Sequence, residues 1–210
     1  RVAGLIMREL KGFAVFDGDK SETLSEKAIS ISDDELNSFL SKFKLGFETI
    51  RRVDNPSIRA VTTHKVYDAR GKVTGEISMS LSDTESNGTN KLFDMAPIFV
   101  KALSSRRVLV IDEFGSSMHP MITRMLISLF NSKETNPMGS QLIFTTHDTN
   151  LLDNKFLRRD QIWFTEKDEI ASTDLYSLVE FKDASGVKVR NDRSYEKDYI
   201  NGKYGAIPYL

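Results

Sequence analysis

A chain of 210 residues, 40% hydrophobic and 28% charged, is long enough for one sizeable domain with its own core and has the balance of a globular protein. Its net charge of −1 gives no global field for nucleic acid or membrane, and the dibasic steps Arg51-Arg52, Arg106-Arg107 and Arg158-Arg159 read first as solvated surface, with nucleic-acid contact as the alternative. The absence of cysteine excludes disulfides and thiolate metal sites and makes a reducing cytoplasm the expected setting, while no apolar run approaches the roughly 20 residues of a membrane span.

No signal peptide is visible, and the Arg1 start suggests a fragment or a trimmed chain. Residues 1–31 give no clean period: Leu5-Ile6-Met7 and Phe13-Ala14-Val15-Phe16 are apolar clusters only. Ser32-Asp33-Asp34-Glu35 is a capping box, followed by Leu36, Phe39, Leu40 and Phe43 at helical spacing, with Gly46 as a stop. This predicts a helix over about 33–44. A hairpin follows, with arms at 58–68 and 73–81 and a turn at Asp68-Ala69-Arg70-Gly71. Ser86-Asn87-Gly88 opens a helix bearing Leu92, Met95, Ala96, Phe99, Val100 and Leu103, in which Pro97 should cause a kink or a break. Beyond it the pattern alternates. Val108–Ile111 is a buried strand, Pro120 starts a helix, and Gln141–Thr145 is a second strand. Ile162-Trp163-Phe164 and Leu175–Leu178 read as a third and a fourth. The expectation is an α/β fold with a largely parallel sheet flanked by helices and joined by right-handed crossovers, plus an antiparallel hairpin before the 86–103 helix. Residues 180–210, polar and tyrosine-rich, carry no firm assignment.

Four short motifs carry chemistry. Val108–Ile111 runs into Asp112-Glu113, so two carboxylates emerge at the carboxyl end of a buried strand, where open α/β sheets bind ligands. Asp112 suits Mg²⁺, which takes one or two carboxylates and keeps its waters; Glu113 suits a general base on water. An acidic turn after a strand is the bland alternative. Leu142–Thr145 delivers Thr146, His147 and Asp148 to the end of the next strand, where His147 can donate to a γ-phosphate oxygen. The turn Ser82–Thr89 opens a helix whose free N–H groups attract phosphate, although N-capping by Ser86 alone also explains it. Phe114–Pro120 is a connector in which His119 caps or packs.

In this order the motifs resemble the carboxyl half of ABC-type ATPases of the SMC/RecF/OLD-like branch. They are most similar to bacterial AAA-domain, ABC-like ATPases found in anti-phage defence and toxin-linked operons. Val108–Glu113 resembles the Walker B strand with its catalytic glutamate, and Glu85-Ser86-Asn87-Gly88-Thr89 the ABC signature in Ser-x-Gly-Thr form. Gly115–Pro120 resembles the D-loop, and Thr145-Thr146-His147-Asp148 the switch-histidine segment. The run Gly202–Pro208 also looks familial, without a chemical role. The resemblance is specific over 73–179. It implies a division into an amino-terminal remnant with the helix and first hairpin arm (1–72), a signature, Walker B, D-loop and switch-histidine lobe (73–179) and a tail (180–210).

The resemblance further implies that Asp112 helps hold Mg²⁺, Glu113 activates water and His147 senses the γ-phosphate. Ser86 and Gly88 would contact the γ-phosphate of an ATP held by a second subunit, in a nucleotide-binding turn that includes Asn87 and Thr89. Ser116 and Ser117 would lie at the dimer interface. One part is missing. No Gly-x-x-x-x-Gly-Lys-Ser/Thr string occurs in the 210 residues; the nearest, Asp17-Gly18-Asp19-Lys20-Ser21, has Asp19 where the second glycine belongs. The base-stacking aromatic segment and a clear glutamine loop are missing too. Three readings follow: the carboxyl part of an ATPase that works as a dimer when complete, an interaction module that needs a loop-bearing partner, or a degenerate remnant. An effector protein or nucleic acid is compatible with the first two.

Overall fold

The computed structural model describes residues 13–17 in backbone, and residues 30–170, 172–183 and 185–207. The chain divides into two compact units, Arg1–His147 and Asp148–Leu210. Among the described residues no helix is long and apolar enough to cross a membrane.

The first unit opens with β1 (Phe13–Asp17) and α1 (Asp33–Leu40). The capping box is formed: Glu35 N donates to Ser32 Oγ at 3.2 Å, and Ser32 N donates to Glu35 Oε2 at 2.8 Å. A 3₁₀ turn, Ser41–Phe43, finishes the helix, and the left-handed residue that ends it is Lys44 (φ 49°), ahead of Gly46. Leu36, Phe39 and Leu40 face inward. Asn37 fastens the helix to the next strand, since its Oδ1 accepts Ile50 N and its Nδ2 donates to Ile50 O, both at 2.7 Å.

Strands β2 (Thr49–Arg52), β3 (Ala60–Tyr67) and β4 (Val73–Ser80) make an antiparallel sheet. The expected turn joins β3 to β4. Asp68 Oδ1 accepts the N–H groups of Arg70 and Lys72, both at 2.9 Å, and Gly71 takes a φ of 78°. A single turn, α2 (Leu81–Thr84), leads to α3 (Asn87–Leu103). Of the kink or break expected at Pro97, the break is absent: α3 continues through it. Its ring removes one N–H from the ladder. The packing of Phe93, Ala96, Phe99 and Ala102, all buried, outweighs that loss.

Strand β5 (Arg107–Ile111), helix α4 (Pro120–Asn131) and strand β6 (Gln141–Phe144) form the α/β part. β5 and β6 are parallel, as expected. The sheet is otherwise not largely parallel: its order is β1-β5-β6, and β1 runs antiparallel to β5, with Phe13 opposite Ile111 and Asp17 opposite Arg107. The core centres on Phe99, fully buried, with ring centroids 6.3 Å from Phe39, 6.0 Å from Phe114 and 5.9 Å from Phe130. Phe114 in turn meets Phe144 edge-on at 5.4 Å. These rings fix the end of β5 against the end of β6.

The second unit contains β7 (Trp163–Lys167), β8 (Thr173–Ser177) and α5 (Tyr195–Ile200). The expected third and fourth strands exist, but they pair with each other as an antiparallel hairpin. The physical reason is the connection, residues 168–172, far shorter than the dozen or so residues that a parallel crossover needs. The tail that resisted assignment is held by a buried carboxylate. Asp198 accepts from Arg193 Nε at 2.6 Å, Lys203 Nζ at 2.8 Å and the Tyr204 hydroxyl at 3.2 Å. The Gly202–Ile207 stretch has a structural role here. Tyr176 donates to Tyr204 O at 2.5 Å, Tyr199 donates to Ala206 O at 3.0 Å, and a Cβ at Gly205 would stand 2.9 Å from both Glu166 Oε2 and the Tyr176 hydroxyl. Pro208 lies outside the described residues.

The Arg193 hydrogen bond, with help from Lys203 and against the cost of burial, pulls the Asp198 carboxyl down to about 2. A folded-state value below the ordinary carboxylate range stabilises fully above about pH 4, and that contribution is lost as pH falls toward 2. Arg193 and Lys203 are about half exposed, so solvent screening leaves roughly 1–2 kcal/mol. The chain's single tryptophan, Trp163, lies in this unit and reports its unfolding. The fluorescence midpoint should fall between pH 4 and pH 2 in the wild type, and Asp198→Asn should remove most of that dependence. An unchanged pH profile in the variant would contradict the assignment.

Candidate functional site

The parallel register sets Ile111 beside Phe144, so the residues that follow each strand continue side by side. Thr145 N donates to Ile111 O at 3.1 Å, and Phe114 N donates to Thr145 O at 2.8 Å. Asp112 and Glu113 therefore emerge beside Thr145, Thr146 and His147 on one sheet edge. Their backbone is unusual. Glu113 takes a φ of 50°, a left-handed conformation uncommon outside glycine that costs of order 1–3 kcal/mol and persists only where the surroundings impose it. Here they do: Ser116 N donates to Glu113 O at 3.2 Å, and Thr146 Oγ1 donates to Phe114 O at 3.0 Å. Phe114, 2% exposed, anchors the next position in the core. His147 Nε2 stands 3.9 Å from Glu113 Oε1. Both side chains are open to solvent, 90% exposed for His147 and 66% for Glu113.

The signature-like turn is an N-cap, with Ser86 Oγ accepting Thr89 N at 3.1 Å and lying 3.0 Å from Thr89 Oγ1. Ser86 and Asn87 are exposed, and Thr89 is buried. This turn lies against the connector after Glu113. A Cβ at Gly88 would sit 3.5 Å from Ser117 O, and Lys91 Nζ donates to Ser116 O at 2.6 Å and Ser116 Oγ at 2.9 Å. Ser117 is left-handed (φ 64°), as is Gly115 (φ 90°), whose Cα faces Thr123 so closely that a Cβ would come within 3.0 Å of that side chain. His119 caps α4 through Nδ1, which accepts Met121 N at 3.2 Å, as expected for a capping histidine. Among the described residues no hydrogen bond joins Ser86, Asn87, Gly88 or Thr89 to Asp112, Glu113 or His147. Within one chain, the acid–histidine edge and the signature-like turn are separate sets.

Sequence reasoning missed three participants. Thr145 was read as part of a strand and a motif, without a role for its hydroxyl. Lys91, three residues after Gly88 on α3, ties that helix to Ser116. His64 Nε2 lies 2.9 Å from Thr62 Oγ1 and 3.2 Å from Glu85 Oε1, holding the residue just before Ser86. Lys91 was legible from helical spacing; the other two depend on contacts distant in sequence.

Among the described residues no group of three or more acidic or histidine side chains forms a metal cage. A lone Asp112 oxygen still fits Mg²⁺, because that ion is usually held by one or two carboxylates together with waters and substrate phosphates. The phosphate-loop candidate fares differently. Gly18–Ser21 lies outside the described residues, but the strand before it leaves the sheet at Asp17, opposite Arg107 and thus at the end of β5 remote from Asp112.

A mixed α/β domain with acidic residues following the carboxyl end of a strand paired in parallel is consistent with a P-loop ATPase-like domain. The sequence matches the family model described as "AAA domain, putative AbiEii toxin, Type IV TA system" over residues 12–153. The chain belongs to this family. Among curated proteins none matches it.

Proposed function

We propose that the chain carries the hydrolytic half of an ABC-type ATP site of the SMC/RecF/OLD-like branch. On this reading it turns over ATP as a dimer once a phosphate loop from outside these residues holds the triphosphate. The observation that carries the reading is the pairing of β5 and β6, which puts Asp112, Glu113 and His147 on one sheet edge with Glu113 Oε1 3.9 Å from His147 Nε2. Glu113 accepts the proton of the attacking water, and His147 donates to a γ-phosphate oxygen. Asp112 would hold Mg²⁺, which would supply charge neutralisation on the phosphate oxygens. Ser86, Asn87, Gly88 and Thr89 offer the N-terminal N–H groups of α3 to the ATP of the facing subunit, with Ser116 and Ser117 at the seam.

The exposure of His147 and Glu113 supports a dimer. Charges in open water are screened, and a second surface that excludes water strengthens each of these interactions. The family description supports a toxin-linked setting. Anti-phage defence, an effector protein or nucleic acid as partner, and a place in the cytoplasm are part of the same proposal. The direction of β1 favours a second reading, a non-catalytic or split subunit that docks on a partner bearing the loop.

Light scattering on Glu113→Gln with Mg·ATP tests the sandwich. The chain together with a loop-bearing subunit should gain the mass of a dimer with ATP and lose it without. A mass indifferent to ATP would contradict the sandwich.

A further inference from the structure

Thr145 belongs to the histidine-bearing segment, yet its hydroxyl serves the acids. Oγ1 donates to Asp112 Oδ1 and accepts the backbone N–H of Glu113 at 2.9 Å. Its backbone brackets the same stretch, donating to Ile111 O at 3.1 Å and accepting from Phe114 N at 2.8 Å. One residue thus holds Ile111, Asp112, Glu113 and Phe114 in sequence, and the left-handed Glu113 lies within that grip.

We infer that Thr145 is the positioning residue of the acid pair, its hydroxyl fixing the direction of the Asp112 carboxylate and pinning the Glu113 backbone that aims its side chain toward His147. The inference rests on the ATP-site reading for its consequence, though not for its geometry. A hydroxyl that donates to one Asp112 oxygen leaves Oδ2 without a protein partner among the described residues, available to a hard cation. The same hydroxyl accepts the N–H that the left-handed turn would otherwise present to solvent. Partners of this kind commonly set metal affinity by orienting the ligand.

Thr145→Val keeps the shape and β-branching and removes the hydroxyl. Thr145→Ser keeps the hydroxyl, and Thr145→Ala is a second hydroxyl-free variant should valine not fold. Two readouts apply: hydrogen exchange at the Glu113 amide of the full chain, and Mn²⁺ binding by electron paramagnetic resonance in the presence of ATP and a loop-bearing subunit. In Thr145→Val the Glu113 amide should exchange about tenfold faster or more, with Leu109 and Val110 unchanged as folding controls. Mn²⁺ should bind about tenfold more weakly, and Thr145→Ser should match the wild type in both. A valine variant with wild-type exchange overturns the proposal, and so does faster exchange with undiminished Mn²⁺ binding, which would leave a merely structural hydroxyl. A wild-type chain that binds no Mn²⁺ with ATP even beside a loop-bearing subunit counts against the ATP site itself. Glu113 exchange then decides alone whether Thr145 holds the turn.

Discussion

Glu113→Gln should lower ATP turnover by about 100- to 10,000-fold in any assembly of this chain that hydrolyses ATP, without weakening nucleotide binding. The substitution keeps size and shape and removes the negative charge and the ability to take a proton. The backbone of Glu113 is held by Ser116 N and by Thr145, so the variant should keep the left-handed turn. The affected quantity is therefore kcat rather than KM. Paired measurement of turnover and of ATP affinity checks this. A loss of affinity equal to the loss of turnover would place Glu113 in binding instead.

Phe99→Ala should destabilise the first unit by about 3–5 kcal/mol, the range for removing a large buried aromatic side chain and leaving a cavity. Phe99 is fully buried and touches Phe39 of α1, Phe114 of the connector after β5 and Phe130 of α4. Its loss removes the common neighbour of three segments. Chemical denaturation followed by circular dichroism measures it, with Phe99→Leu expected to cost clearly less. The loss should also reach the site, because Phe114 is the residue after Glu113 and its ring is what anchors that turn in the core. A variant with wild-type stability would show that Phe99 is not the centre of packing.

Elements with local signals were legible in the sequence. The capping box at Ser32 and Glu35, the N-cap at Ser86, Pro120 at a helix start and the Asp68–Gly71 turn each act within a few residues, and each formed. The parallel pairing of β5 with β6 was legible because one helix separates two apolar runs. Strand direction at β1 was not, since Phe13–Asp17 carries no sign of which way it will pair. The antiparallel β7–β8 hairpin could have been read from its short connection, which Asp168 closes by accepting Ile170 N at 3.0 Å and Ser172 N at 2.7 Å. The tail stayed opaque for a different reason. Asp198 gathers Arg193, Lys203 and Tyr204 within a short stretch, but it makes sense only once the aromatic floor of Phe164, Tyr176 and Tyr199 is in place. At the site, Asp112, Glu113 and His147 were legible as strand ends. The clasp of Thr145 on the acids spans more than 30 residues and was not.

Phosphate release from ATP tests the central claim most directly. It should be measured on the pure chain and on the chain with a subunit that bears a phosphate loop, each as wild type and as Glu113→Gln. The pure chain should release no phosphate above background, and the mixture should turn over ATP in a manner that Glu113→Gln abolishes. Robust turnover by the pure chain, or turnover in the mixture that is indifferent to Glu113→Gln, would contradict a hydrolytic half-site completed by a phosphate loop from outside these residues.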